Sequence, residues 1–239
     1  MPVTLITGAA SGIGAATAQA LLAAGHQVAV TGRDETRLAE LAQSVGAPER
    51  LLTVKADAGL DADVQEAVAR TVERFGALTS IVANAGFSSH DTLASGDPEQ
   101  WREMVLINVL GPALLIRAAL PALTKAAGES NGTQPRIVLV GSVAGLKNTP
   151  GNMYSVTKWA ITGMAENTRL LVTGQGIGVT LIAPGRVDTP FWDGRPGSGP
   201  LEGPVLSADD IARAIAWTFD QPAGVDVNTV VVRPVGQAV

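Results

Sequence analysis

Seven short runs of almost unbroken apolar residues, separated by longer segments of helical period, constrain this chain more than any other feature. The runs cover residues 3–7, 27–31, 51–55, 80–83, 136–141, 178–183 and 229–233. Strands this uniformly apolar need cover on both faces, which is the condition of a parallel sheet. Between them the periodicity predicts helices over 12–24, 35–45, 62–75, 98–127, 153–173 and 208–219, the last capped by Ser207. The alternation predicts an α/β fold: a single doubly wound Rossmann-type domain over residues 1–239, with a seven-stranded parallel sheet and helices on both faces. No linker or internal repeat divides it.

Apolar residues make up 46% of the 239 positions and charged residues 16%, enough apolar surface to bury such a sheet. A net charge of -5 offers no basic surface, so nucleic acid is not an expected partner. The absence of cysteine excludes disulfide and thiolate chemistry, and His26 and His90 stand alone without a ligand-spaced carboxylate cluster, so no metal site is expected. The first apolar run starts at Val3 and leads straight into a glycine motif, an order that leaves no room for a secretory leader and implies a cytoplasmic protein. Residues 104–123 are apolar enough to suggest a membrane span, but Asn108, Pro112, Arg117 and Pro121 interrupt them, so a core helix and no membrane association are expected.

Two stretches are irregular. Residues 128–135 read as a surface loop. Residues 194–204 carry four glycines and three prolines and follow the sixth strand, at the edge where doubly wound sheets bind ligands. They are expected to be either a mobile lid or a plain connector.

Thr7-Gly8-Ala9-Ala10-Ser11-Gly12-Ile13-Gly14 lies between the first strand and the first helix, where a dinucleotide fingerprint belongs. Small residues let the backbone approach a pyrophosphate, whose charge the helix N-terminus favours. The second strand ends in Thr31-Gly32-Arg33. A carboxylate for a ribose 2′-hydroxyl is missing, and Arg33 is placed to pair with a 2′-phosphate instead, although a solvated arginine reads the same way. The expected cofactor is therefore NADP rather than NAD.

Tyr154 and Lys158 are four apart near the start of a helix and share one face. A free tyrosine has a pKa of about 10, so a tyrosine base near neutrality needs a drop of roughly 3 units, or about 4 kcal/mol. An ammonium roughly 4 Å away, at an effective dielectric near 20, supplies about that much. Ser142 follows the fifth strand at the same edge of the sheet, where its hydroxyl can polarise a carbonyl. Read alone, each of these is an ordinary surface or turn residue, and Asn108 is a polar residue inside an apolar helix.

Together these motifs resemble the short-chain dehydrogenase/reductase family, from Val3 to about Val232. The likeness rests on Thr7-Gly8-x-x-x-Gly12-x-Gly14, Asn84-Ala85-Gly86, Asn108, Ser142, Tyr154-x-x-x-Lys158, Pro184-Gly185 and Val187-Asp188-Thr189. It implies Tyr154 as general acid/base, Lys158 as the residue that lowers its pKa and holds the nicotinamide ribose, and Ser142 as the group that positions the substrate oxygen. It also implies that Asn108 holds a water in a relay through Lys158. Asp57 matches a position near the adenine, Asn84 one beside the adenosine ribose, and Val187 and Thr189 positions against the carboxamide. The implied cofactor set is Gly8, Ser11, Gly12, Ile13, Gly14, Arg33, Asp57, Asn84, Gly86, Tyr154, Lys158, Pro184, Gly185, Val187 and Thr189.

Two features depart from the family pattern. Ala83 stands where many members carry a second asparagine, and residues 227–235 are closer to the subgroup acting on short 3-hydroxy acids. The expected reaction is hydride transfer between NADP(H) and a secondary alcohol, ketone or aldehyde. The alternatives are a 3-hydroxy acid dehydrogenase, a lyase or epimerase with a tightly held cofactor, and a non-catalytic NADP sensor or scaffold. Phe87, His90, Leu146, Met153, Arg186, Phe191 and Trp192 are candidate pocket residues, Arg186 for an anion. Apolar residues on more than one face of the helices over 98–127 and 153–173 suggest a homodimer or homotetramer.

Overall fold

The computed structural model describes residues 1–129, 134–193 and 203–237. Its seven strands are β1 (Val3–Ile6), β2 (Gln27–Gly32), β3 (Leu51–Lys55), β4 (Ser80–Ala83), β5 (Arg136–Val140), β6 (Gly178–Pro184) and β7 (Thr229–Val232). All pair in parallel, in the order β3-β2-β1-β4-β5-β6-β7. The order reverses between β1 and β4, which opens the crevice at the carboxyl ends of the strands.

The alternation of side chains along each strand sorts the core into two layers. Leu5, Ile81, Ile137 and Leu139 face α3 (Asp61–Phe75), α5 (Gly111–Gly128) and α6 (Met153–Val172). Their neighbours Ile6, Val82, Val138 and Val140 face α1 (Gly12–Ala23), α2 (Glu35–Val45) and α7 (Ala208–Phe219). The expectation of strands buried on both sides holds for β1, β4, β5 and β6, every residue of which is buried. At the edge, β7 is only half covered, with Val231 46% exposed.

Local signals fix most helix ends. Asp34 accepts from the N–H groups of Thr36 and Arg37 at 3.0 and 3.1 Å, and Gly46 closes α2 in the left-handed region. Ser207 and Asp210 form a reciprocal capping box at α7. The start of α1 differs: Ser11 makes no side-chain cap bond and the first turn carries no acid, which leaves its N–H groups to a ligand.

The helix expected over 98–127 is not continuous. It runs as α4 (Pro98–Val105), a π turn at Leu106–Leu110 and then α5. Such turns mark places where a side chain is re-aimed at the cost of regular hydrogen bonding. Here Asn108 is turned inward, and Gly111 lets the helix pass the Ala58 carbonyl, 2.7 Å from where a Cβ would stand. By length and composition this stretch, Pro98–Gly128, is long and apolar enough to cross a membrane. Its Leu115, Ala119 and Leu123 are instead part of the core.

A buried polar group anchors the connection into β7. Arg136, 2% exposed, donates to the carbonyls of Gln221 and Val225, both at 3.1 Å. Arg169 donates to the Asn228 carbonyl at 3.1 Å and pairs with Asp226 at 3.3 Å. Residues 194–202, most of the segment read as lid or connector, lie outside the described residues, as do 130–133 of the other loop.

Candidate active site

The strand ends open onto one cleft of about 730 Å³. From the loop after β1, Gly8, Ser11, Gly12 and Ile13 line it; from β2 onward come Gly32, Arg33 and Arg37, and after β3, Asp57. Asn84 and Gly86 follow β4, Ser142 follows β5, Pro184 ends β6, and Gly185, Val187 and Thr189 follow it. Tyr154 and Lys158 reach it from the first turns of α6. Residues as far apart in the chain as Gly8 and Thr189 are thus brought to one crevice by the parallel topology.

The glycine cradle fits a dinucleotide. Gly8 is at φ 66, and a Cβ there would stand 2.6 Å from the Ala85 Cα. Gly12, at φ 55, opens α1, and a side chain on it would press on Thr189 at 3.3 Å, across the cleft. The uncapped N-terminus of α1 aims its N–H groups and positive dipole end into the same space, as a pyrophosphate requires. Gly14 does not line the cleft. It is a packing residue, where a Cβ would meet the Asn84 Nδ2 at 2.6 Å and the Gly8 carbonyl oxygen at 2.7 Å.

At the adenosine end, Arg33 is 61% exposed and is not a lone solvated cation. It donates to Glu103 at 3.0 Å and lies 3.9 Å from Asp57. One Asp57 oxygen accepts from the Gly59 N–H at 2.8 Å, which shapes its own turn. Gly32 is close-packed rather than open, since a Cβ there would stand 2.9 Å from the Ala10 Cβ. Asn84 is a structural pin as well as a lining residue: its Nδ2 donates to the carbonyls of Thr7 and Gly8, both at 3.0 Å.

At the other end, the Tyr154 hydroxyl faces Ser142, whose oxygen accepts from the Ala144 N–H at 3.1 Å. Asn152 caps α6 by accepting the Ser155 N–H at 2.7 Å, which fixes where the helix starts. The Lys158 ammonium is buried; it donates to the Val140 carbonyl at 2.9 Å and lies 5.6 Å from the centre of the Tyr154 ring. Burial raises the Tyr154 pKa to about 12 against the lowering influence of Ser142, and burial lowers that of Lys158 to about 8. Burial therefore works against the drop expected from Lys158. Desolvation penalises both charged forms, and the ammonium spends a donor on Val140 instead of on the phenol.

Asn108 does not line the cleft either. It is buried behind it, its Oδ1 accepting the Phe87 N–H at 3.0 Å and its Nδ2 donating to the Phe87 carbonyl at 2.9 Å and to Thr157 Oγ1 at 3.1 Å. Both amide hydrogens are committed, so its side chain braces the loop after β4 against α6. Of the pocket candidates, Phe87, His90, Arg186, Phe191 and Trp192 line the cleft, whereas Leu146 packs against the core and Met153 stands off it. Phe191 lies 5.4 Å from both Tyr154 and His90, with Trp192 stacked on His90 at 5.4 Å.

Sequence reasoning passed over Arg37, Thr157, the Val140 carbonyl, Gly145 and Gln237. Thr157 had a signal, three positions after Tyr154 and so on the same side of the helix. A backbone carbonyl leaves none.

The short-chain dehydrogenase family matches residues 2–196, and the chain belongs to it. An uncharacterized oxidoreductase of Staphylococcus epidermidis is 34% identical, the alignment covering 98% of this chain and 97% of that one. Sulfoacetaldehyde reductase 2 of Chromohalobacter salexigens is 34% identical over 99% and 95%. The closed form of a serine dehydrogenase, complexed with NADP+, superposes with a TM-score of 0.90 at 28% identity, over 99% and 96% of the two chains. The chain is thus an oxidoreductase of Rossmann-like fold.

Proposed function

We propose that the chain transfers hydride between NADP(H) and a secondary alcohol, ketone or aldehyde, with Tyr154 as the general acid/base. The observation that carries this reading is the Tyr154 hydroxyl facing Ser142 at the wall of one cleft, with the buried Lys158 ammonium behind the ring. When bound, the nicotinamide supplies or accepts the hydride at the carbonyl carbon.

The protein's part is the proton. In reduction the Tyr154 hydroxyl gives its proton to the carbonyl oxygen as the C=O bond becomes CH–OH, and Ser142 donates to that same oxygen. A phenol held up at about 12 keeps its proton at physiological pH, so the resting site is charged for reduction. Lys158 then stabilises the developing tyrosinate, and Asn108, through Thr157 and the loop at Phe87, keeps the helix and the cleft wall in register.

The NADP preference rests on Arg33, with Arg37 beside it in the cleft, and agrees with the NADP+ in the serine dehydrogenase structure. A 2′-phosphate would draw the guanidinium from Glu103. Arg33→Ala is expected to raise the KM for NADPH by about 10- to 100-fold, the worth of a charge-assisted pair, and to leave NADH unchanged. Steady-state kinetics with both cofactors decides it; equal losses on the two would remove the phosphate role.

Substrates that are compact and carry an acid group are favoured, because the relatives act on sulfoacetaldehyde and serine and Arg186 lines the cleft here. We also propose a homodimer or homotetramer through α4, α5 and α6. Leu106 and Leu110 in the π turn between α4 and α5 are 40% and 42% exposed, and Val156 and Trp159 on α6 are 52% and 43% exposed. Light scattering at micromolar concentration should give at least twice the chain mass, and a monomer would refute the assembly.

A further inference from the structure

Residues 233–237 leave β7 and fold back over the end of β6, beyond the part of the chain that the family match covers. The β6–β7 ladder ends at Pro184 opposite Val232, and the Gly185 N–H makes the last rung to the Val232 carbonyl at 2.7 Å. A turn then closes from the Gln237 N–H to the Pro234 carbonyl at 3.1 Å, with Gly236 at φ 87. It returns Gln237 to Arg186, whose N–H donates to the Gln237 Oε1 at 2.9 Å. The side chain thus supplies the rung that the strand has stopped providing. Gly185 is required beneath it, because a Cβ there would overlap that oxygen and lie 3.1 Å from Arg233 and Pro234.

Two consequences follow from this single bond. The segment carrying Val187 and Thr189 is held at Gly185 by β7, at Arg186 by Gln237 and at Asp188 by the Leu206 carbonyl at 2.8 Å. With Oε1 spent on Arg186, the group Gln237 has left for the cleft it lines is the Nε2 amide, a donor with no partner among the described residues. We infer that Gln237 both positions the cofactor wall and selects substrate: its carbonyl clamps the loop after β6, and its amide donates to an oxygen acceptor on the substrate distinct from the reacting carbonyl. A carboxylate or sulfonate fits that role. The selection arm rests on the reductase reading above, while the clamp does not.

The test compares Gln237→Glu and Gln237→Ala. Dissociation constants for NADPH come from quenching of tryptophan fluorescence, and KM and kcat from matched acid-bearing and neutral ketones. Gln237→Glu keeps an acceptor for Arg186 but loses the donors. It should bind NADPH within about twofold of the wild type, raise KM for the acid-bearing ketone about tenfold or more, and spare the neutral one. Gln237→Ala loses both functions, and its NADPH dissociation constant should rise about tenfold as well. Wild-type NADPH affinity in Gln237→Ala overturns the clamp, and equal KM changes for the two ketones overturn the selection. A wild-type protein that binds NADPH but turns over no carbonyl refutes the reductase reading, and the two NADPH constants still decide the clamp.

Discussion

Tyr154→Phe is expected to lower kcat by a factor on the order of 10³ while NADPH binds as before. The phenyl ring fills the same space against Phe191 and Lys158, so packing is retained and only the proton carrier is lost. Ser142 keeps its bond to the Ala144 N–H and is not left unpaired. Tyr154 is the only tyrosine in the chain, so the ultraviolet absorbance of tyrosinate reports on this residue alone. In the cofactor-free protein that signal should appear only near pH 12, because burial holds the phenol up. The partner ionisation has the opposite sign: Lys158 loses its ammonium as pH rises through about 8, so reduction should slow across that range. Wild-type turnover in Tyr154→Phe, or a tyrosinate signal near pH 10 without ligand, would contradict this picture.

Gly145→Ala is expected to give the next largest loss, although Gly145 carries no functional group. It ends the short turn Val143–Gly145 that follows Ser142, directly beneath α6. A Cβ there would overlap the Lys158 carbonyl oxygen and lie 2.6 Å from the Lys158 carbonyl carbon. These are backbone atoms of a helix and cannot swing aside. The two segments are also stitched together, with Ser155 donating to the Ala144 carbonyl at 2.6 Å and Thr162 to the Gly145 carbonyl at 2.9 Å. Relief must come from moving the start of α6, and with it Tyr154 and Lys158, away from Ser142. A displacement on the order of 1 Å at a reacting group costs about 10² in rate. We expect kcat to fall about 100-fold and the overpacking to cost about 1–3 kcal/mol of stability, read by kinetics and denaturant unfolding. Unchanged kcat would show that the turn and the helix are not rigidly coupled.

These two residues mark how much of the molecule was legible in its sequence. Strand positions were readable because burial on both faces leaves an uninterrupted apolar run, as in Ile137-Val138-Leu139-Val140. Helix starts were readable where a side chain does the capping, as Ser207 does. The break at Leu106–Leu110 was not, because the apolar period continues through it and its cause, the pull of Asn108 toward the Phe87 backbone, crosses from another segment. For the same reason Gly14 reads from the motif as a cofactor contact, whereas it packs one layer behind the cleft, and Asn108 could be named only through the family resemblance.

The chemistry divides along the same line. Tyr154, Lys158 and Ser142 could be named because reactive side chains are sparse and their spacing is local. The pKa values could not, because they depend on desolvation and on which acceptor the Lys158 ammonium finds, here the Val140 carbonyl. Gly145 and Gln237 were invisible for a third reason: each acts through a backbone atom distant in the chain.

Tyrosine-dependent carbonyl reduction is tested most directly by following NADPH consumption by the purified protein with a panel of compact ketones and aldehydes, half of them bearing a carboxylate or sulfonate. Steady turnover with at least one acid-bearing carbonyl is expected in the wild type and none above background in Tyr154→Phe. Tight NADPH binding with no turnover across the panel, or equal turnover in the two proteins, would contradict it.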